Sequence, residues 1–201
     1  MRKLLIGFLA MALCILGLGA MWNVRADDDP LKFFAIFSGF QEVGALNNET
    51  GAILSPGKAT LKLTLDRAAQ TLAYTLTYSF PSTTSVTQAH IHFGKDHVPG
   101  NIMVFFCTNL ANGPSGVAVP ACPAFDGTVT GTITAAGVKA IPTQNVSAED
   151  FNALVSALTS DTAYANIHTA AFAAGEIRGQ IHLERLFRGG ERGFRPPFGN
   201  R

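Results

Sequence analysis

Apolar and polar positions alternate in short runs along most of the chain. Ala59, Leu61, Leu63 and Leu65 interleave with Thr60, Lys62 and Thr64. After a turn at residues 66–70, Leu72, Tyr74, Leu76 and Tyr78 interleave with Thr71, Ala73, Thr75 and Thr77. Successive side chains of a strand point to opposite faces, so each run predicts a half-buried strand and the pair a hairpin. Residues 33–40, 87–93, 102–107, 127–133, 164–169 and 176–183 supply further strands. The almost wholly apolar 102–107 segment predicts a central position in its sheet. One stretch has helical spacing instead: Phe151, Leu154, Val155 and Leu158, preceded by Ser147 as the expected cap with Asp150 three residues on. Many short strands joined by Gly and Pro turns predict an all-β fold, a Greek-key β-sandwich or barrel with one short helix.

The two ends break this pattern. Arg2 and Lys3 precede an apolar run over residues 4–20, and Val24-Arg25-Ala26 offers small residues for a peptidase. Residues 1–26 read as a secretory signal peptide, cut after Ala20 or Ala26, with retention as a membrane anchor the competing reading. The expected location is secreted, periplasmic or extracellular, with no membrane span once the signal is removed. Residues 31–184 form one domain. Residues 27–184 carry seven Lys/Arg against 13 Asp/Glu, a net −6, whereas residues 185–201 carry five Arg against one Glu, a net +4. A mildly acidic body excludes a nucleic-acid-binding domain. The Gly-, Arg- and Pro-rich tail, 185–201, is expected to lack fixed structure and to offer a contact for an anionic surface or an extracellular protein. Two cysteines follow the signal, Cys107 and Cys122. In an exported protein they are expected to pair, closing a loop worth about 3 kcal/mol.

The sharpest chemistry lies in Gln88-Ala89-His90-Ile91-His92-Phe93-Gly94. Alternation puts His90 and His92 on one strand face, about 6.6 Å apart. His168, in Tyr164-Ala165-Asn166-Ile167-His168-Thr169, shares a face with Asn166, opposite the core-facing Ile167. Along 176–183, Glu176, Arg178, Gln180 and His182 occupy the polar face. If these strands are neighbours, His90, His92, His168 and His182 form a metal site suited to copper or zinc. His97 is another candidate fourth ligand and Asp96 a lesser one. Glu176 and Arg178 are expected to orient a ligand from outside the coordination sphere. The competing reading is structural: imidazoles on a strand also hydrogen-bond backbone and neighbouring side chains.

Four blocks in order carry a resemblance to the CHRD domain, the module named after chordin and also found in bacterial exported proteins. They are Phe37-Ser38-Gly39-Phe40-Gln41-Glu42-Val43, Ala89-His90-Ile91-His92-Phe93-Gly94, Tyr164-Ala165-Asn166-Ile167-His168-Thr169 and Gly175-Glu176-Ile177-Arg178-Gly179-Gln180-Ile181. The resemblance implies an immunoglobulin-like β-barrel and an exported binding module, and it brings no settled activity. His90-Ile91-His92-Phe93-Gly94 also resembles the copper-ligand strand of copper/zinc superoxide dismutase, which implies a redox enzyme as the alternative. A third reading is an interaction or matrix protein with structural histidines. No nucleophile elbow, zinc-protease motif, phosphate loop or dinucleotide fingerprint occurs in the sequence.

Overall fold

The computed structural model describes residues 29–43, 51–80 and 84–184. The expected signal peptide, 1–26, and the basic tail, 185–201, lie outside the described residues. Among those described, no helix is long and apolar enough to cross a membrane.

Among the described residues, nine strands form two antiparallel sheets that pack face to face. They are β1 (Leu31–Phe37), β2 (Lys58–Asp66), β3 (Thr71–Ser79), β4 (Val86–Phe93), β5 (Asn101–Thr108), β6 (Gly127–Ile133), β7 (Ala163–Thr169), β8 (Ile177–Gln180) and β9 (His182–Leu183). The first sheet has the order β6-β3-β2-β1-β9 and the second β5-β4-β7-β8. This is the all-β sandwich that the alternation predicts. The β2–β3 hairpin pairs Lys58 with Ser79 through Asp66 with Thr71. Its turn is closed by Ala69 N–H donating to Asp66 Oδ1 at 2.8 Å.

The core lies between the sheets. Leu61, Leu63, Leu65, Leu72 and Leu76 come from the first, and Ile91, Met103, Phe106, Ile167 and Ile177 from the second. Each such side chain contributes about 1.5–3 kcal/mol by leaving water. The helix α1 (Phe151–Thr159) adds Phe151, Leu154 and Leu158. Its cap is Asp150, which accepts from Ala153 N–H at 2.9 Å, rather than the expected Ser147. A left-handed residue at Glu149, φ 62°, turns the chain after Ser147 and delays the helix start.

Two further expectations change. The apolar β5 is an edge strand, not a central one. Its outer backbone is covered instead by coil: Thr108 N–H donates to Pro120 O at 3.0 Å and Lys139 N–H to Met103 O at 2.9 Å. The Cys107–Cys122 disulfide fastens the same edge. The single strand expected over 176–183 is two strands in different sheets. At Ile181 the chain crosses the edge of the sandwich: β8 pairs with β7, while β9 pairs with β1.

Candidate metal centre

The centre is built on the face of the second sheet that points away from the core. In the β4–β7 register, Gln88 lies opposite His168, His90 opposite Asn166, and His92 opposite Tyr164. In the β7–β8 register, Asn166 lies opposite Arg178 and Tyr164 opposite Gln180. Period two therefore delivers all these side chains to one face, with Ala89, Ile91, Ala165 and Ile167 on the other. Register shifts in the β4–β5 pairing flank His90 and His92, and such irregularities re-aim side chains next to functional sites.

This face is not open to water. His90 is 0% exposed, His92 and His168 7% each, and Asn166 2%. The roof comes from loops. Arg178 Nη2 donates to Lys95 O at 2.9 Å and to Val98 O at 3.3 Å, holding residues 94–100 over the sheet. The Arg178 guanidinium lies 3.5 Å from the centre of the Tyr164 ring. That ring stacks on His92 at 4.7 Å and 5°. The two neighbours are too close to Tyr164 to share one side of it, so the tyrosine is sandwiched between cation and imidazole. Gly100 N–H donates to Tyr164 Oη at 3.1 Å, which fastens the far end of the loop.

The imidazoles are held in a defined tautomer. His92 Nδ1 lies 2.9 Å from Gly100 O, and His168 Nδ1 lies 2.9 Å from Ala173 O. A carbonyl only accepts, so each Nδ1 carries the proton and each Nε2 a lone pair. Those two Nε2 atoms converge on Asn166 Oδ1, at 2.9 and 3.0 Å. His90 stands beside them with its ring 5.5 Å from His92 and 4.9 Å from His168. Neither of its ring nitrogens meets a protein partner among the described residues, although both are buried. One nitrogen from each of the three rings lies within 4.8 Å of the others.

Burial keeps these rings neutral. His90 is pushed down to about 2, first by loss of water and then by His168, His92 and Lys139. His92 is pushed down to about 4, again chiefly by burial, and His168 is lowered for the same reason. Neutral imidazole is the form that ligates metals. Lone pairs directed together, with the opposite nitrogen of the ring donating to a backbone carbonyl, are what a histidine metal site requires.

The remaining predicted residues fall as follows. His182 is on β9, in the other sheet, with its ring 6.1 Å from Phe34 and Nδ1 3.7 Å from Asp161. The crossing at Ile181 carries it away from the three histidines. His97 and Asp96 pair with each other at 3.5 Å on the exposed tip of the 94–100 loop. Glu176 is buried, and its two oxygens accept from the Ser55 and Thr169 hydroxyls. Arg178 reaches the site through Tyr164, as a wedge behind His92.

Asn166 and Glu42 carry more of the site than the sequence reading gave them. Glu42 is 2% exposed. Val43 N–H donates to its Oε1 at 3.1 Å, while Oε2 has no hydrogen-bond partner among the described residues. Burial raises its pKa, and Val43 N–H, the charge of Arg178 and the Asn166 amide favour its ionised form. Gly175, at φ 126°, lets the backbone pass this pair: a Cβ there would sit 2.7 Å from Glu42 Oε2 and 2.9 Å from Asn166 Nδ2. Gly179 is likewise a close approach, since a Cβ would meet Ile36 O at 2.7 Å. The clue to Asn166 was its alternation with His168; that to Glu42 was its place in Gln41-Glu42-Val43.

No curated protein matches this chain. A family model does: the CHRD domain matches residues 33–181, a span that holds the whole second sheet, all of the first but β9 and the start of β1, the three histidines, Asn166 and Glu42. This chain belongs to the CHRD domain family.

Proposed function

We propose that this CHRD domain is an exported binding module that holds one copper or zinc ion through His90, His92 and His168, without turnover. The observation that carries the reading is the set of three buried, neutral imidazoles, two locked as Nδ1–H tautomers with their Nε2 lone pairs converging and the third without a protein partner among the described residues. A buried polar group without a partner costs about 1–3 kcal/mol. An ion removes that cost for His90 and turns the crowded lone pairs into bonds. Imidazole nitrogen suits both Cu(II) and Zn(II).

Export is supported by the sequence of residues 1–26 and by the Cys107–Cys122 disulfide, which persists in an oxidising compartment. The Arg-rich tail is proposed as the contact for an anionic surface or an extracellular protein, on its charge alone. A dismutase-type reaction needs a position on the ion that superoxide can reach, and the near-complete burial of the three rings supports holding the ion rather than turning over a substrate.

Isothermal titration of metal-free protein with Cu(II) and with Zn(II) tests the proposal. One equivalent of at least one ion is expected to bind, with binding lost in His92→Ala. Heat no greater than dilution for both ions would overturn it.

A further inference from the structure

We infer that Asn166 supplies a fourth donor atom, Oδ1, and that Glu42 acts as a positioning residue that keeps this oxygen turned toward the histidines. The inference rests on the ion-holding reading above and deepens it: the site becomes a closed sphere of three nitrogens and one oxygen.

The distances fit. Two ligand atoms each about 2.05 Å from one ion lie about 2.9 Å apart at a right angle and about 3.3 Å apart at the tetrahedral angle. Asn166 Oδ1 stands 2.9 and 3.0 Å from the Nε2 atoms of His92 and His168. With both Nδ1 protons directed to carbonyls, Oδ1 and the two Nε2 atoms are all acceptors. Three acceptors at this separation repel unless a cation stands among them.

The amide has an alternative orientation, with Nδ2 donating to the two Nε2 atoms. That would turn Oδ1 toward Glu42, whose carboxyl group is buried, with Oε1 accepting from Val43 N–H and Oε2 without a partner among the described residues. Two acceptor oxygens would then face each other in the interior. Glu42 thus selects the orientation with Nδ2 on its own side and Oδ1 on the histidine side. A dication among three neutral nitrogen ligands would itself favour the ionised form of Glu42, whose charge would then complement it. Gly175 permits the arrangement, because any side chain there would part Glu42 from Asn166.

A closed four-donor sphere is the mark of a structural metal site, whereas catalytic sites keep a position open. The test compares wild type, Asn166→Ala, Asn166→Asp, Glu42→Ala and Glu42→Gln by Zn(II) affinity and by the visible spectrum of the Co(II) form. Wild type is expected to give the intense bands of four-coordinate Co(II). Asn166→Ala is expected to bind Zn(II) about 100-fold more weakly and to change the Co(II) spectrum. Asn166→Asp keeps an oxygen donor and is expected to bind at least as tightly, with the four-coordinate spectrum retained. Glu42→Ala is expected to weaken binding about 10-fold, with partial recovery in Glu42→Gln, which restores an acceptor without the charge. Wild-type binding with an unchanged spectrum and affinity in Asn166→Ala would overturn the inference and leave the three-histidine reading standing. If Asn166→Ala does not fold, weakened binding in Asn166→Asp overturns it instead. Unchanged affinity in Glu42→Ala would remove Glu42 from the role. Absence of binding by wild type would end the ion-holding reading itself.

Discussion

The two sheets treat their outer faces in opposite ways. On β2 and β3 the outward residues, Thr60, Lys62, Thr64, Ala73, Thr75 and Thr77, stand in solvent. On β4, β7 and β8 the outward residues His90, His92, Tyr164, Asn166, His168, Arg178 and Gln180 are buried under loops. Water satisfies any polar group on the first face, so its chemistry is unconstrained. The second face has no such supply, and each polar atom needs a protein partner. Most have one. Gln180 Nε2 donates to Asp161 O at 2.9 Å, and Arg178 is held by the loop carbonyls. Against that background the partnerless His90 and the clustered acceptors around Asn166 Oδ1 mark where the fold gives up stability for chemistry.

This contrast can be broken first by acid. His92 has a folded pKa of about 4 against an ordinary 6.5. Between those values the unfolded chain binds more protons, so the stability tied to neutral His92 is complete above pH 6.5 and is lost as pH falls through 4. The shift corresponds to about 3 kcal/mol, and His90 and His168 act in the same direction. Denaturant unfolding of metal-free protein between pH 7.5 and 4 is expected to show this loss, with a shallower slope in His92→Leu. Equal slopes in the two proteins would contradict the assigned burial.

Next in size is the inner face of the same strand. Ile91 is fully buried between the sheets, and Ile91→Ala is expected to cost about 3 kcal/mol while leaving the ion stoichiometry unchanged. Calorimetric unfolding with and without metal reads both quantities.

The opposite sign is expected one residue away. His90→Leu replaces an unpartnered buried polar ring by an apolar group, and the metal-free protein should gain about 1 kcal/mol while losing its stabilisation by added ion. A less stable metal-free His90→Leu would mean that His90 has partners of its own. The smallest effect belongs to the solvated face: Lys62→Ala should change stability by no more than about 0.5 kcal/mol, by the same unfolding assay.

Periodicity in the sequence was enough to define seven of the strand segments, the β2–β3 hairpin, the helix near residue 151 and two same-face pairs, His90 with His92 and Asn166 with His168, which the β4–β7 pairing then sets on one face. These features depend on the period of the backbone, which is local. Tertiary structure alone decided that this face is roofed. Gly100 O and Ala173 O, which set the tautomers, belong to loops whose course no periodicity encodes. It also decided that His182 leaves the site, because the chain changes sheets at Ile181, and that Glu42 joins it across more than a hundred residues of chain. Which side chains share a face follows from neighbours in sequence; which of those faces loses its water follows only from how distant segments close over it.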